Sequence, residues 1–278
     1  MFRLKRILFP VDFSERCRGA AAYAAALAGR FDAELMLLHV MEPSAHHSTP
    51  ADLLEVRPEK LSQFLGPDLK QLRVSHAVER GEVARTIVQY ACAKQADLIM
   101  MAAQGLGIYR RLIIGSNTAK VLHDADCPVW TGVHLENAPP LDYIACKRII
   151  CAVDLKPASA AVLDWAHWMS QEYQAELTLV HVTPQMEAGP ARYFDHTFEA
   201  DLQQRAQGAL EDLQKVVGSN AAVRVEGGEP AHAVTEVARQ VKADLLVIGR
   251  KAQEGLLGRL TTHAYSIIRQ SPCPVVSV

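Results

Sequence analysis

The chain has 278 residues, 49% of them hydrophobic and 22% charged, with a formal net charge of −2. That is an ordinary globular composition, long enough for two domains with a core in each, and it lacks the basic excess that would argue for nucleic acid. No apolar run approaches the ~20 residues of a membrane-spanning helix, so neither nucleic acid nor membrane is an expected partner.

The N-terminal stretch Met1-Phe-Arg-Leu-Lys-Arg-Ile-Leu-Phe-Pro10 carries only a short apolar run before Asp12, unlike a signal peptide. The six cysteines form no CxxC pair and no zinc-like spacing, and most sit in apolar segments. A cytoplasmic protein with reduced thiols is expected.

Arg6–Val11 reads as the first strand, and Ser14 as the N-cap of an Ala-rich helix ending near Arg30. Glu34–Met41 is the second strand. Pro43–Pro58 is a polar loop with a short helix at Ala51–Val56, and a helix follows over Glu59–Leu72. Val74–Glu79 is the third strand, after which Gly81-Glu82 turns into a helix reaching Gln95. Asp97–Ala102 is the fourth strand, fully apolar after Asp97, Ser116–His123 a helix, and Val129–Val133 the fifth strand, behind Cys127-Pro128.

The series then repeats. Lys5-Arg-Ile-Leu-Phe-Pro-Val-Asp12 returns as Lys147-Arg-Ile-Ile-Cys-Ala-Val-Asp154, and Ala33-Glu-Leu-Met-Leu-Leu-His-Val40 as Ala175-Glu-Leu-Thr-Leu-Val-His-Val182. Ala96-Asp-Leu98 returns as Ala243-Asp-Leu245, and Cys127-Pro-Val129 as Cys273-Pro-Val275. A period of about 145 residues is too long for a solenoid unit and marks a duplicated domain. The halves are residues 1–134 and 147–278, joined by a linker at 135–146 that contains Pro139-Pro140. The second half has a longer central helix, at about Asp195–Val217, and its last strand at the C-terminus. Strands alternating with helices at this spacing give an α/β fold: two tandem, doubly wound, five-stranded parallel-sheet domains. In such sheets ligands sit beyond the carboxyl ends of the strands where strand order reverses, which would bring Asp12 and Gly105 face to face.

The stretch Leu98–Asn117 carries the chemistry. A buried strand breaks at Gln104-Gly105-Leu-Gly107, passes Arg110-Arg111, and reaches Gly115-Ser116 at the start of a helix. Unpaired N–H groups and the dipole of a helix N-terminus favour an anion there. Plain turn glycines and a Ser116 helix cap are the alternative reading.

Taken together, Ile7-Leu-Phe-Pro-Val-Asp-Phe-Ser14, Leu38-His-Val40, Gly81-Glu82, Ala96-Asp97-Leu98 and Cys127-Pro128-Val129 resemble the universal stress protein family in its tandem form. Nucleotide-binding members carry G-x2-G-x9-G-[ST]; the frame here is Ala102-x2-Gly105-x9-Gly115-Ser116, with alanine at the first glycine. The resemblance covers both halves apart from the linker and the central loops. It implies the adenine nucleotide alpha-hydrolase-like fold, pairing of the two halves as an intrachain pseudo-dimer, and a homodimer of whole chains.

It also implies ATP or another adenine nucleotide as ligand, with Mg²⁺ as an optional companion. By resemblance Asp12 contacts base or ribose, Pro10 and Val11 line the base, and Val40 meets adenine through its backbone. Met101, Ala102 and Gly105 shape the ribose and phosphate side, and Gly115, Ser116 and Asn117 cradle the phosphates. The departure is Ala102, whose added methyl is the smallest change that could crowd that ligand.

The second half keeps Gly249 and Asp154 but has Ala252 for Gly105 and Thr261-Thr262 for Gly115-Ser116. Its nucleotide site is expected to have decayed, with Asp154 as a cap. No GxxxxGK[ST] occurs and no G-x-G-x-x-G follows a first strand, which excludes P-loop and dinucleotide chemistry on their own signatures. His46-His47 is a solvated loop pair, and His39 and His181 are packed rather than catalytic. The expectation is a non-enzymatic nucleotide-binding stress-response protein with no metal ligands of its own. An interaction module without nucleotide and a slow ATP hydrolase are the alternatives, although no general base with a metal-binding partner supports hydrolysis.

Overall fold

The computed structural model describes residues 2–42, 61, 64, 72–103, 114–132, 144, 146–184, 192–250 and 262–278. The chain divides into two compact units, Arg3–Ile144 and Ala145–Val278.

In the first unit β1 (Arg6–Pro10), β2 (Glu34–Met41), β3 (Val74–Arg80), β4 (Leu98–Ala102) and β5 (Val129–Gly132) run in the order β3-β2-β1-β4-β5. Every pairing is parallel, with Ile7 opposite Leu35 on one side and Leu98 on the other. Helices α1 (Glu15–Phe31), α2 (Val83–Ala93) and α3 (Ser116–Asp124) connect these strands. Ile7, Leu8, Phe9, Leu35, Leu38 and Ile99 are essentially inaccessible. Strands apolar on both faces are what a parallel sheet covered by helices requires.

The second unit repeats this with β6 (Arg148–Ala152), β7 (Glu176–Thr183), β8 (Ala222–Gly227), β9 (Leu245–Ile248) and β10 (Val275–Ser277), in the parallel order β8-β7-β6-β9-β10. Its helices are α4 (Ser159–Tyr173), α5 (Arg192–Val217), α6 (Pro230–Gln240) and α7 (Thr262–Gln270). Each unit is therefore the five-stranded α/β domain expected. The short helix at Ala51–Val56 lies outside the described residues, as does most of Glu59–Leu72, of which Leu61 and Phe64 are helical. Among the described residues no helix is long and apolar enough to cross a membrane.

The start of the fourth strand differs from the sequence expectation: Asp97 is a clamp beside the strand rather than its first residue. The fourth strand begins at Leu98, and the Asp97 carboxylate before it turns back to accept the N–H groups of Lys5 (2.7 Å) and Arg6 (2.8 Å). Asp244 repeats this clamp on Lys147 and Arg148, at 2.8 and 2.9 Å. Charged acceptors on backbone N–H groups are among the stronger hydrogen bonds. This fixes where β1 and β6 start, and hence where their far ends point.

Glu82 is the N-cap of α2, accepting from the Arg85 N–H at 2.9 Å, and it also holds Lys120 of α3 at 2.9 Å. The Lys120 ammonium and the Arg85 N–H keep its carboxyl below the ordinary range. A Cβ at Gly81 would lie 2.5 Å from the Thr86 hydroxyl, so the Gly-Glu pair is a packing and capping device.

Candidate functional site

In the first unit the chain leaves β1 in one direction to form β2 and β3, and in the other to form β4 and β5. The reversal falls between β1 and β4, and ligand crevices of open parallel sheets form at such a point. A cavity of about 260 Å³ opens at this point. Pro10, Val11 and Asp12 line it from the end of β1, Val40 from β2, Met101 and Ala102 from β4, and Gly115, Ser116 and Asn117 from the start of α3. Gly105 lies outside the described residues, as do Arg110, Arg111 and the His46-His47 pair.

The turn after β1 is tightly determined. Asp12 Oδ1 accepts the Ser14 N–H at 2.9 Å, and Ser14 Oγ accepts the Cys17 N–H at 3.1 Å. Ser14 is therefore the cap of α1, and Asp12 is left exposed at the cavity wall. Phe13 between them has φ 61°, a left-handed conformation that costs an L-residue about 1–2 kcal/mol. Its ring packs on His39 and, edge-on, on Phe64. Leu155 repeats the conformation at φ 59°, so both copies retain the strained turn.

Cys17, not anticipated from the sequence, also lines the cavity. Burial, and then the Asp12 charge, push its thiol far above the ordinary value, so it is a neutral wall and no nucleophile. The signal for it was its place one turn after the Ser14 cap.

His39 has a specific task. The Val11 N–H donates to the Leu38 carbonyl at 2.8 Å, which sets the alternation: Leu38, and Val40 two residues on, turn their peptide groups toward β1. The next ladder bond would run from the Val40 N–H to the Val11 carbonyl. That carbonyl instead accepts from His39 Nδ1 at 2.7 Å, which must carry the proton because a carbonyl only accepts. The N–H and C=O of Val40 are thus turned into the crevice, a donor and an acceptor side by side. His39 is a packed residue, as expected, but it is packed to end the ladder.

At the opposite wall α3 begins at Gly115, with φ −59° and ψ 143° and no side-chain cap. Those angles suit any residue, so the glycine is not there for a left-handed turn. Its own N–H is engaged by the Ala103 carbonyl at 2.9 Å. Ser116, the alternative cap, is instead the first helical residue. Helix geometry leaves the N–H groups of Ser116, Asn117 and Thr118 without an intrahelical acceptor. The Thr118 hydroxyl donates away from them, to the Ala102 carbonyl at 3.1 Å. In the same unit α1 and α2 are capped by Ser14 and Glu82, so α3 is the helix that offers donors to the cavity. Among the described residues no group of three or more His, Cys, Asp or Glu could hold a metal.

A model of the universal stress protein family matches residues 3–131 and again residues 145–278. The chain belongs to the universal stress protein family. A universal stress protein of Mycolicibacterium smegmatis is 26% identical over 292 aligned residues, spanning 98% of this chain and 96% of that one. A Thermus aquaticus universal stress protein is 32% identical over 131 residues, 45% of this chain and 96% of its own length. The crystal structure of a universal stress protein from Archaeoglobus fulgidus superposes with a TM-score of 0.71 at 20% identity, covering 99% of this chain and 96% of that one, a likeness of fold.

The two halves of this universal stress protein explain each other at Ala102. Its counterpart Gly249 is tightly placed: a Cβ there would sit 3.2 Å from Val162 Cγ2 on α4, so that side chain would have to yield by a few tenths of an ångström. The position equivalent to Val162 in α1 is Ala20, fully buried. Methyl and branched side chain have exchanged sides, so Ala102 is matched by a smaller partner on the helix.

The second crevice is also present, at about 250 Å³, between the ends of β6 and β9. There Asp154 is occupied. Its Oδ1 accepts from the Lys156 N–H and the Ser159 hydroxyl, both at 3.1 Å, and Lys156 Nζ lies 3.1 Å from Oδ2. Burial raises the Asp154 carboxyl, but these partners outweigh it and hold it below 3.8, its ordinary value. His263 stands where Asn117 stands in the first unit and pairs with Glu229 at 3.5 Å.

Proposed function

We propose that the first unit is a binding site for an adenine nucleotide, ATP foremost, and that the protein is a non-enzymatic, ligand-responsive member of its family. The observation that carries this reading is the pairing, across one cavity, of two unsatisfied sets of backbone groups. The Val40 peptide edge matches a ring nitrogen beside an exocyclic amine, and the first-turn N–H groups of Ser116, Asn117 and Thr118 match phosphate oxygens. Asp12, with one oxygen engaged, has capacity for a ribose hydroxyl. The donor set therefore fits base at one end and anion at the other. Mg²⁺ would travel with the phosphates, since this chain supplies no cluster for it among the described residues.

The reading extends to assembly. The linker with its flanking His134 reaches at most about 45 Å, enough for the two halves to pair as an intrachain pseudo-dimer, with a homodimer of whole chains as the larger unit. A cytoplasmic setting agrees with six free cysteines.

Isothermal titration of the full chain with ATP should give one site. Gly115→Val should weaken it at least ~100-fold, about 2.7 kcal/mol, with the far-ultraviolet circular dichroism unchanged, because the backbone there already suits valine while a branched side chain obstructs approach to the donors. Retained affinity in this variant would overturn the cradle, and turnover of ATP above a trace would overturn the non-enzymatic reading.

A further inference from the structure

The turn after β1 carries a bulky side chain where its left-handed backbone asks for none. Phe13 has φ 61° and its counterpart Leu155 has φ 59°. Glycine occupies that region freely, whereas a bulky residue there is rare and strained. The bond from the Ser14 N–H to Asp12 needs the turn but not the ring. A strained residue persists only where its surroundings hold it, so the reason for a phenylalanine lies in what the ring touches.

That ring meets the imidazole of His39, with centroids 5.0 Å apart and planes tilted by 54°, and Phe64 backs it edge-on at 5.4 Å. Tilted aromatic pairs at this spacing attract. The imidazole held in this way donates from Nδ1 to the Val11 carbonyl at 2.7 Å. The β1–β2 register already runs to Pro10 opposite Leu38, followed by the Val11 N–H on the Leu38 carbonyl. Without the imidazole, the Val11 carbonyl would take the Val40 N–H as the next rung. A backbone rung and a bond from an uncharged imidazole are of similar net worth, so a packing contact on the imidazole decides between them. The second unit has the same parts: left-handed Leu155, and His181 Nδ1 at 2.9 Å from the Val153 carbonyl. A large apolar side chain is the common requirement, aromatic or not.

We propose that Phe13 is a positioning residue: its side chain keeps the His39 imidazole on the Val11 carbonyl and so stops β1 and β2 from closing one rung further into the crevice. The strained backbone is retained because only a residue with a side chain can do this. The inference rests on the nucleotide reading only for its effect on affinity.

The test is nuclear magnetic resonance of the ligand-free full chain, followed by titration with ATP. In the wild type the Val40 amide should exchange rapidly with solvent, and the His39 nitrogen shifts should report a single tautomer protonated at Nδ1. Phe13→Gly removes ring and strain together; it should fold, yet slow Val40 exchange at least about tenfold and lose the single tautomer. ATP affinity should fall about tenfold in the same variant. Phe13→Leu, which installs the side chain of the second unit, should keep all three properties of the wild type. The proposal is overturned if the wild-type Val40 amide is already protected, if Phe13→Gly leaves Val40 exchange and the His39 tautomer unchanged, or if Phe13→Leu behaves as Phe13→Gly. A Phe13→Gly chain that does not fold also overturns it, since the ring would then serve the fold itself. Val40 and His39 responding as expected in a chain that binds no ATP would refute the nucleotide reading alone.

Discussion

Exchange of bulk between Gly249 and Val162 can be measured as a coupling energy. Gly249→Ala places a methyl 3.2 Å from Val162 Cγ2, a few tenths of an ångström inside ordinary contact. Val162 is buried, with 3% of its surface exposed, and a helical valine has one strongly preferred rotamer, so it cannot turn aside. Mild overpacking costs about 1–2 kcal/mol. Against this, replacing glycine restricts the unfolded chain and returns about 0.4–1 kcal/mol. The net expectation is a loss of about 1 kcal/mol.

Val162→Ala alone removes two buried carbons and should cost about 2–3 kcal/mol from transfer and residual cavity. In that background Gly249→Ala should be neutral or slightly stabilising, because it rebuilds the Ala102–Ala20 arrangement of the first unit. The coupling is then about 1 kcal/mol. Urea unfolding followed by tryptophan fluorescence reads it, since Trp165 and Trp168 both lie on α4. A cost for Gly249→Ala that is the same in both backgrounds, within 0.3 kcal/mol or so, would refute the reasoning.

Removing the strand clamp with Asp97→Ala should destabilise the first unit by about 2 kcal/mol, two charge-assisted bonds discounted for their exposure; a shift under about 0.5 kcal/mol in urea unfolding would speak against it. His39→Phe keeps the packing against Phe13 but frees the Val11 carbonyl to pair with the Val40 N–H. It should weaken ATP binding about tenfold, near 1.4 kcal/mol, while costing little stability, and an unchanged titration would contradict the role given to the imidazole. Asp154 is held below 3.8 in the folded state, so its contribution is complete above about pH 4 and is lost as pH falls through the lowered value. Asp154→Asn should flatten the acid limb of second-unit stability in that window, and an identical acid limb in the variant would show that Asp154 does not set it.

Periodicity and repetition decided the architecture before any coordinates. Apolar runs such as Leu35–Leu38 and Leu98–Met101 have few ways to be buried other than as strands covered on both faces, and the return of Lys5–Asp12 as Lys147–Asp154 makes a second copy unavoidable. Ser14 was legible as a cap because a hydroxyl just before an Ala-rich run has a local partner, the Cys17 N–H. Most of the residues named for the site belong to three short segments that a doubly wound sheet brings to one crevice, so topology alone brought them together.

What sequence spacing could not carry is the direction of peptide groups and the occupancy of side chains. Whether Val40 offers its N–H to a ligand depends on where β1 stops and on an imidazole taking the Val11 carbonyl, a contact between residues 28 apart. Asp12 and Asp154 are the same residue in the same motif, yet one carboxylate accepts the Ser14 N–H and the other is held by Lys156 and Ser159. Ala102 and Gly249 differ by a methyl whose consequence is set by Ala20 and Val162 on helices formed elsewhere in the chain. Each of these is a pairwise distance in three dimensions, and a linear pattern contains the partners without saying which of them meet.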